Sequence, residues 1–210
     1  MSKSVLLSIK PKYCQLIASG NKTVEVRKTK PKLDTPFKCY IYCTQDFANF
    51  ATKTKRSEMW IREPLNSVSK GRYLGNGKVI GEFLCDKIDY FSFSESEWAY
   101  SVAPAGSIMP MHETTALKIM EEQGCLSLDD INAYFGDEDY TAYFFHISDL
   151  VIYDKPKDLD EFMAFGKSNC DCKNCDNCWY MSIDGVCDIK DSYQPLFIPP
   201  QSWCYVEELI

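Results

Sequence analysis

The chain has 210 residues, of which 45% are hydrophobic and 14% aromatic. This composition supplies enough apolar surface for one folded domain with insertions, and it excludes disorder as the main state. No stretch approaches the ~20 consecutive apolar residues of a membrane helix, and the apolar run near the N-terminus ends at Lys10, before it reaches the length of a signal peptide. We therefore expect a cytoplasmic protein without a membrane partner.

The net charge of −7 is distributed unevenly along the chain. Residues 1–56 contain twelve Lys or Arg and three acids, a balance of +9, whereas residues 57–210 have a balance of −16. A polyanion would be attracted to the first segment and repelled by much of the second. Solvated strand ends would produce the same asymmetry without any ligand.

The first part of the chain predicts a strand, a short helix and a second strand. Residues 4–10 are predicted as the first strand, and Pro11 suits the first turn of a helix over residues 12–19. Gly20 then provides the C-cap of that helix. Residues 22–27 alternate between polar and apolar side chains, which is typical of a strand with one buried face.

The rest of the chain mixes strands with helices. The predicted strands are residues 37–44, 78–91, 141–153 and 202–209, and the predicted helices are residues 113–123, 128–135 and 158–165, with a short one around Met59 and Trp60. Because the two types do not alternate regularly, we expect an α+β fold in which five or six strands form a small mixed β-barrel with flanking helices. The whole chain, residues 1–210, is expected to be a single domain with a Cys-rich insertion at about residues 166–198.

Charged and polar side chains cluster around the second predicted strand. If the first two strands are close, Lys10, Lys22 and Arg27 form a cationic rim around Glu25. Lys and Arg neutralise phosphates, whereas Thr23 and Glu25 can hydrogen-bond a base or ribose edge. The alternative is an exposed strand face on which Glu25 and Arg27 form an ion pair of little energetic value.

Ten of the eleven cysteines fall into two groups. Five lie singly among apolar residues, where free cysteine behaves as a small hydrophobe: Cys14, Cys39, Cys43, Cys85 and Cys125. Such a distribution, with an odd total, favours a reducing compartment over a disulfide network.

Five other cysteines lie within eighteen residues, between positions 170 and 187. Two overlapping C-x-x-C pairs can bring thiolates onto one ion, which suits a structural zinc. The preferred ligands are Cys172, Cys175, Cys178 and Cys187, with Cys170 as the substitute. Iron–sulfur ligation also uses compressed cysteine spacing, and a loop of reduced thiols without metal is the third alternative.

Two strands carry alternating aromatic residues. Tyr40 and Tyr42 lie in one, and Trp203 and Tyr205 lie in the last. Alternating aromatics can stack on bases, but core packing is the more usual role and the one we expect for most of them. His146 is expected to be a satisfied histidine on a strand.

Three segments resemble the ASCH domain family. Residues 8–28 resemble the family's opening signature, with a second strand of the form G-x-K-T-x-E-x-R. Residues 78–83, after Gly77, resemble its later G-x-V-x-G-x-F strand. The closing segment, residues 199–206, is similar to the ending of a subgroup met in phages and mobile elements.

The resemblance implies a PUA-like barrel whose cleft binds RNA or a nucleotide derivative. Some small bacterial members are amidohydrolases that remove an acyl group from a modified cytidine. Lys22 matches their lysine at the start of the second strand, but Glu25 occupies the position of their threonine, so a hydroxyl nucleophile is missing there.

The function expected from the sequence is therefore binding of a nucleic acid, RNA in particular, or of a modified nucleotide, through Lys10, Lys22, Thr23, Glu25 and Arg27. One alternative is an amidohydrolase or nuclease that acts on a modified nucleoside or RNA, with Lys22 and Glu25 as its acid–base pair. A second alternative is a protein-interaction module that uses a zinc-stapled loop.

The metal hypothesis gives a direct test. We expect near-stoichiometric zinc in protein purified without chelator, because the segment between Phe165 and Pro199 has few aliphatic residues with which to order itself. Elemental analysis measures the metal. Chelation should lower the melting temperature modestly and leave the rest of the domain folded. If the protein contains neither zinc nor iron, and the segment is ordered with free thiols or disulfides, the cysteine spacing is incidental.

Overall fold

A computed structural model describes residues 3–45, 59–62, 72–93, 103–104, 113–136, 139–165 and 193–209. The chain divides into two compact units. The first unit comprises residues 1–12, 38–82 and 151–210, and the second comprises residues 13–37 and 83–150. Both units are assembled from separate chain segments, and the organisation as a single domain stays a prediction.

The described elements are mainly strands. In chain order they are β1 (Lys3–Ile9), α1 (Pro11–Ala18), β2 (Val24–Arg27), β3 (Phe37–Cys43), β4 (Trp60–Arg62), β5 (Arg72–Leu74), β6 (Lys78–Phe93), β7 (Ala103–Pro104), α2 (Glu113–Lys118), α3 (Leu128–Phe135), β8 (Tyr140–Lys157), β9 (Met163–Phe165), β10 (Tyr193–Pro195) and β11 (Trp203–Glu207). A π-helical segment, Ile119–Gln123, follows α2, and a 3₁₀ turn, Leu159–Glu161, precedes β9. This content confirms the α+β class.

The strands form a mixed sheet. Hydrogen-bonded neighbours follow the order β10-β9-β11-β1-β3-β6-β8-β2, with β7 on β6, while β4 and β5 form a separate pair. β1 runs parallel to β3 and antiparallel to β11. Within the described part of the chain this order is open, with β10 and β2 as its ends. The expected closed barrel of five or six strands is therefore wrong.

The core of the first unit lies against β1 and β3. β1 is flanked by a strand on each side, and six of its seven residues are buried. Tyr40 and Tyr42, predicted as core residues, are buried, and the Tyr40 ring meets Phe162 edge-on at a centroid distance of 4.9 Å. Gly81 lies where a Cβ atom would overlap the Val151 carbonyl oxygen, so the approach of β8 to β6 requires glycine there.

The core of the second unit lies between the apolar face of β2 and helix α3. Val24 and Val26 pack with Ile131 and Phe135 of the helix. Ser127 caps α3 through a capping box with Asp130, which satisfies two backbone N–H groups at the helix start. β2 pairs antiparallel with β8.

Two predicted helices are wrong. The residues around Met59 and Trp60 lead into β4, which pairs with β5, because Trp and Ile favour strands. In residues 158–165, Asp158 and Glu161 form a capping box, but the helix ends after one 3₁₀ turn. Phe162 is extended and the chain continues as β9.

The singly placed cysteines confirm their predicted role. Cys14, Cys39, Cys43 and Cys85 are buried free thiols, and Cys125 is half-buried. Burial also raises the pKa of the Cys204 thiol to about 12. In the described ranges, no helix is long and apolar enough to cross a membrane.

Candidate nucleic-acid interface

Three charged side chains of the second unit meet inside the protein. The Glu25 carboxylate lies between Lys22 and Arg27, with Lys22 Nζ 3.3 Å from Oε2 and Arg27 Nη2 3.1 Å from Oε1. The exposed fractions of Lys22, Glu25 and Arg27 are 2%, 7% and 6%. We call these three residues the charge cluster. It contains two cations and one anion, so it carries one excess positive charge.

The alternation of β2 explains how Glu25 and Arg27 come to lie on the same face. Val24 and Val26 occupy the face that packs on α3, so Glu25 and Arg27 occupy the other face. That second face is also covered. Directly across the strand pair, Phe145 lies opposite Glu25, and its ring packs edge-on against Phe37 at a centroid distance of 6.4 Å. The alternative of an exposed strand face is therefore wrong for both charged residues, although the ion pair between Glu25 and Arg27 that it predicted is present.

Lys22 is held by the turn that follows the π-helical segment. Its Nζ donates a hydrogen bond of 2.5 Å to the Gly124 carbonyl oxygen and lies 5.1 Å from the centroid of the Tyr13 ring. Cys125, at φ = 52°, donates a thiol hydrogen bond to the Asn21 carbonyl oxygen. The turn is thus tied to the residue before Lys22, and the lysine charge is compensated by a carbonyl, a carboxylate and an aromatic face.

Tyr13 links the cluster to the start of α3. Burial raises the pKa of its hydroxyl, and the carboxylates of Asp130 and Glu25 raise it further. The hydroxyl is therefore protonated at neutral pH, and it forms a hydrogen bond with the Asp130 side chain. The same carboxylate caps α3, so the helix start and the charge cluster are positioned by a shared set of contacts.

Beyond β2 the chain becomes basic and exposed. Lys28 Nζ lies 5.2 Å from the ring centroid of Tyr134, and Lys30 Nζ lies 5.8 Å from that of Tyr143. Tyr90 and Tyr143 are 6.1 Å apart, and 37% of Tyr134 is exposed. We call Lys28, Lys30, Tyr90, Tyr134 and Tyr143 the basic–aromatic surface. Cations beside partly exposed rings are the elements with which proteins bind single-stranded nucleic acid.

Only part of the predicted site is brought together. Lys22, Glu25 and Arg27 are in contact. Thr23 is exposed, and its backbone donates to Gln123 and accepts from Ile147. Lys10 is exposed in the first unit. A single ligand cleft for all five residues stays a prediction.

Sequence reasoning missed the basic–aromatic surface. The Lys-Thr-Lys run over residues 28–30 and the aromatic-rich strand over residues 140–145 were its signals. The pairing of β2 with β8 places Tyr143 opposite Arg27, close to where the basic run begins.

His146 has the structural role expected for it. Its Nε2 lies 3.0 Å from Asp89 Oδ2, which also receives a hydrogen bond of 2.6 Å from Lys87. Burial alone would raise the pKa of the Asp89 carboxyl, but the hydrogen bonds from His146 and Lys87 outweigh it and lower that pKa.

The predicted zinc ligands cannot be compared with the structure. Cys170, Cys172, Cys175, Cys178 and Cys187 all lie outside the described residues. Within the part of the chain that is described, no three His, Cys, Asp or Glu side chains are grouped as a metal site would need.

The charge cluster gives a stability test. Glu25→Gln leaves the cations of Lys22 and Arg27 buried without their carboxylate, so we expect a loss of about 3 kcal/mol in the free energy of unfolding, measured by urea titration. Glu122→Gln is the control, because Glu122 forms an exposed pair with Lys118 on the same unit. The control should change stability by less than about 0.5 kcal/mol. Equal losses of unfolding free energy in the two variants would contradict a stabilising role of the Glu25 carboxylate.

Comparison with known proteins gives the family. Among solved structures, the ASCH protein of Zymomonas mobilis is 18% identical, with a TM-score of 0.45 and coverage of 75% of each chain. A tyrosine-to-phenylalanine variant of that protein is 17% identical, with a TM-score of 0.42 and coverage of 76% of this chain and 78% of its own. No curated protein matches the chain. The model of the ASCH domain family matches residues 7–162, and the chain belongs to that family.

Proposed function

We propose that this protein binds single-stranded RNA, or a ligand derived from a nucleotide, at the basic–aromatic surface of its second unit. The observation that carries the proposal is the pairing of Lys28 with Tyr134 and of Lys30 with Tyr143 immediately beyond β2. Such pairs combine phosphate neutralisation with faces on which bases can stack.

The charge cluster supports this surface in two ways. Its excess positive charge is buried, where it is screened less by salt than a surface charge. It also fixes Arg27, the residue from which the chain continues to Lys28. Glu25 therefore acts in this proposal as a positioning residue that holds two cations, and contact with the ligand falls to the exposed lysines and tyrosines.

Membership of the ASCH domain family supports the same class of ligand. The family is generally considered RNA-binding and PUA-like, and the α+β fold of this chain is consistent with that superfamily. The closing segment, residues 199–206, is the sequence feature that favours the phage and mobile-element subgroup. RNA is thus the first ligand class to test.

A catalytic alternative has one observation in its favour. Lys22 and Glu25 are in direct contact, as an acid–base pair would be. Both groups are buried, and Lys22 is also bonded to a carbonyl, so a substrate would have to replace existing contacts. Incubation with acetylated cytidine and with short RNA tests this alternative. Release of acetate or RNA fragments would favour it over simple binding.

The interaction-module alternative rests on the Cys-rich segment, which lies outside the described residues. If the protein is an interaction module of this kind, neither RNA nor a modified nucleoside should bind, which distinguishes this alternative from the other two functions.

Salt dependence tests the proposed surface. We expect a short fluorescein-labelled single-stranded RNA to bind with an affinity that falls with salt, with log K against log [salt] sloping by about −0.7 per phosphate contacted. Replacing both Lys28 and Lys30 by alanine should flatten the slope by about 1.4 and weaken binding at low salt. Fluorescence anisotropy measures both quantities.

Lys118→Ala is the matched control, because Lys118 is an exposed lysine of the same unit outside the basic–aromatic surface. It should leave the slope unchanged. An affinity that does not depend on salt would contradict phosphate binding and would favour a neutral nucleoside held by stacking and hydrogen bonds. An equal effect of Lys118→Ala would show that only the net charge of the protein matters.

A further inference from the structure

The first unit contains a cavity of about 510 Å³ that the proposed RNA surface does not use. Every described residue that lines it belongs to this unit. The residues that line it include Tyr42, Thr44, Gln45, Asp160, Leu196 and Phe197. A volume of this size holds a small organic ligand or one long side chain of a peptide.

Tyr42 supplies an unusual polar group in this cavity. Its side chain is 3% exposed and packs in the apolar cluster that contains Leu159 and Leu196. Among the described residues, its hydroxyl forms no hydrogen bond. The hydroxyl is therefore available to a ligand in the cavity.

Among the described residues that line the cavity, the available charge is negative. Asp160 is exposed and, in the part of the chain that is described, makes no ion pair or side-chain hydrogen bond. Asp158 is already engaged, because it pairs with Lys78 and caps the 3₁₀ turn. One carboxylate is thus free to bind a cation and to repel a phosphate.

The apolar wall of the cavity restricts the class of ligand further. Leu196 is buried, whereas the neighbouring Phe197 is 75% exposed, which is a high exposure for a large aromatic side chain. An aromatic face beside a free carboxylate suits a flat cation, because the ring attracts the charge and the carboxylate accepts two parallel N–H bonds. A guanidinium group has both properties, and an ammonium group lacks the planar fork.

We propose that this cavity binds a guanidinium group, with Asp160 as its carboxylate partner, the Tyr42 hydroxyl as a hydrogen-bond acceptor and Phe197 as its stacking face. The guanidinium can belong to a small molecule or to an arginine side chain of a peptide. Thr44 and Gln45, which also line the cavity, are polar. The site is independent of the proposed RNA function, since none of its residues belongs to the basic–aromatic surface.

Isothermal titration calorimetry with agmatine tests the site in the full chain. We expect saturable binding, about tenfold weaker for Asp160→Asn and a few-fold weaker for Tyr42→Phe, because each removes one polar partner. Tyr42→Phe should melt no lower than the parent protein, since the hydroxyl it deletes has no partner to lose. Asp154→Asn is the control, because it removes an exposed carboxylate of the same unit that does not line this cavity.

Two further titrations separate the ligand classes. A short peptide with a central arginine distinguishes a peptide site from a small-molecule site: tighter binding than agmatine assigns the site to a peptide, and weaker binding assigns it to a free guanidine. Adenosine monophosphate should not bind, because the Asp160 carboxylate would repel its phosphate. The proposal is overturned if agmatine does not saturate, if Asp160→Asn and Asp154→Asn weaken binding equally, or if adenosine monophosphate binds better than agmatine.

Discussion

The buried Glu25 carboxylate is the constraint on which the architecture of the second unit depends. It is shared by Lys22 and Arg27, and each of the three is more than nine-tenths buried. A buried charge is costly unless it is paired with an opposite charge, so the three side chains restrict one another. The Gly124 carbonyl and the Tyr13 ring complete the surroundings of Lys22. This arrangement lets a four-residue strand have two covered faces, one apolar and one charged.

The same constraint explains where the proposed ligand surface lies. β2 ends at the buried Arg27, and Lys28 is the first exposed residue after it. The lysines beyond β2 lie beside tyrosines from α3 and β8, elements that the core of the unit holds in place. The basic–aromatic surface therefore begins where β2 ends, and the buried charge cluster helps to position it.

The sequence predicted β1, α1 and β2 well, because their patterns are local. Period-two alternation assigned Glu25 and Arg27 correctly to the face opposite Val24 and Val26, but alternation does not say whether that second face is covered. The cover comes from long-range contacts, such as Phe145 opposite Glu25 and Phe37 against the Phe145 ring, that no local pattern encodes. Strand pairing is equally non-local, which is why the open sheet was not predicted. The zinc hypothesis concerns residues outside the described ranges and stays a prediction.

The most direct test of the central claim is amide chemical-shift mapping of the labelled protein with a short single-stranded RNA. The account predicts that the largest saturable shifts occur at Lys28, Lys30, Tyr134 and Tyr143. Smaller shifts are expected at Arg27, because it is buried beside the surface. Shifts confined to the first unit, or no saturable shifts at all, would contradict the claim that the end of β2 forms the ligand surface.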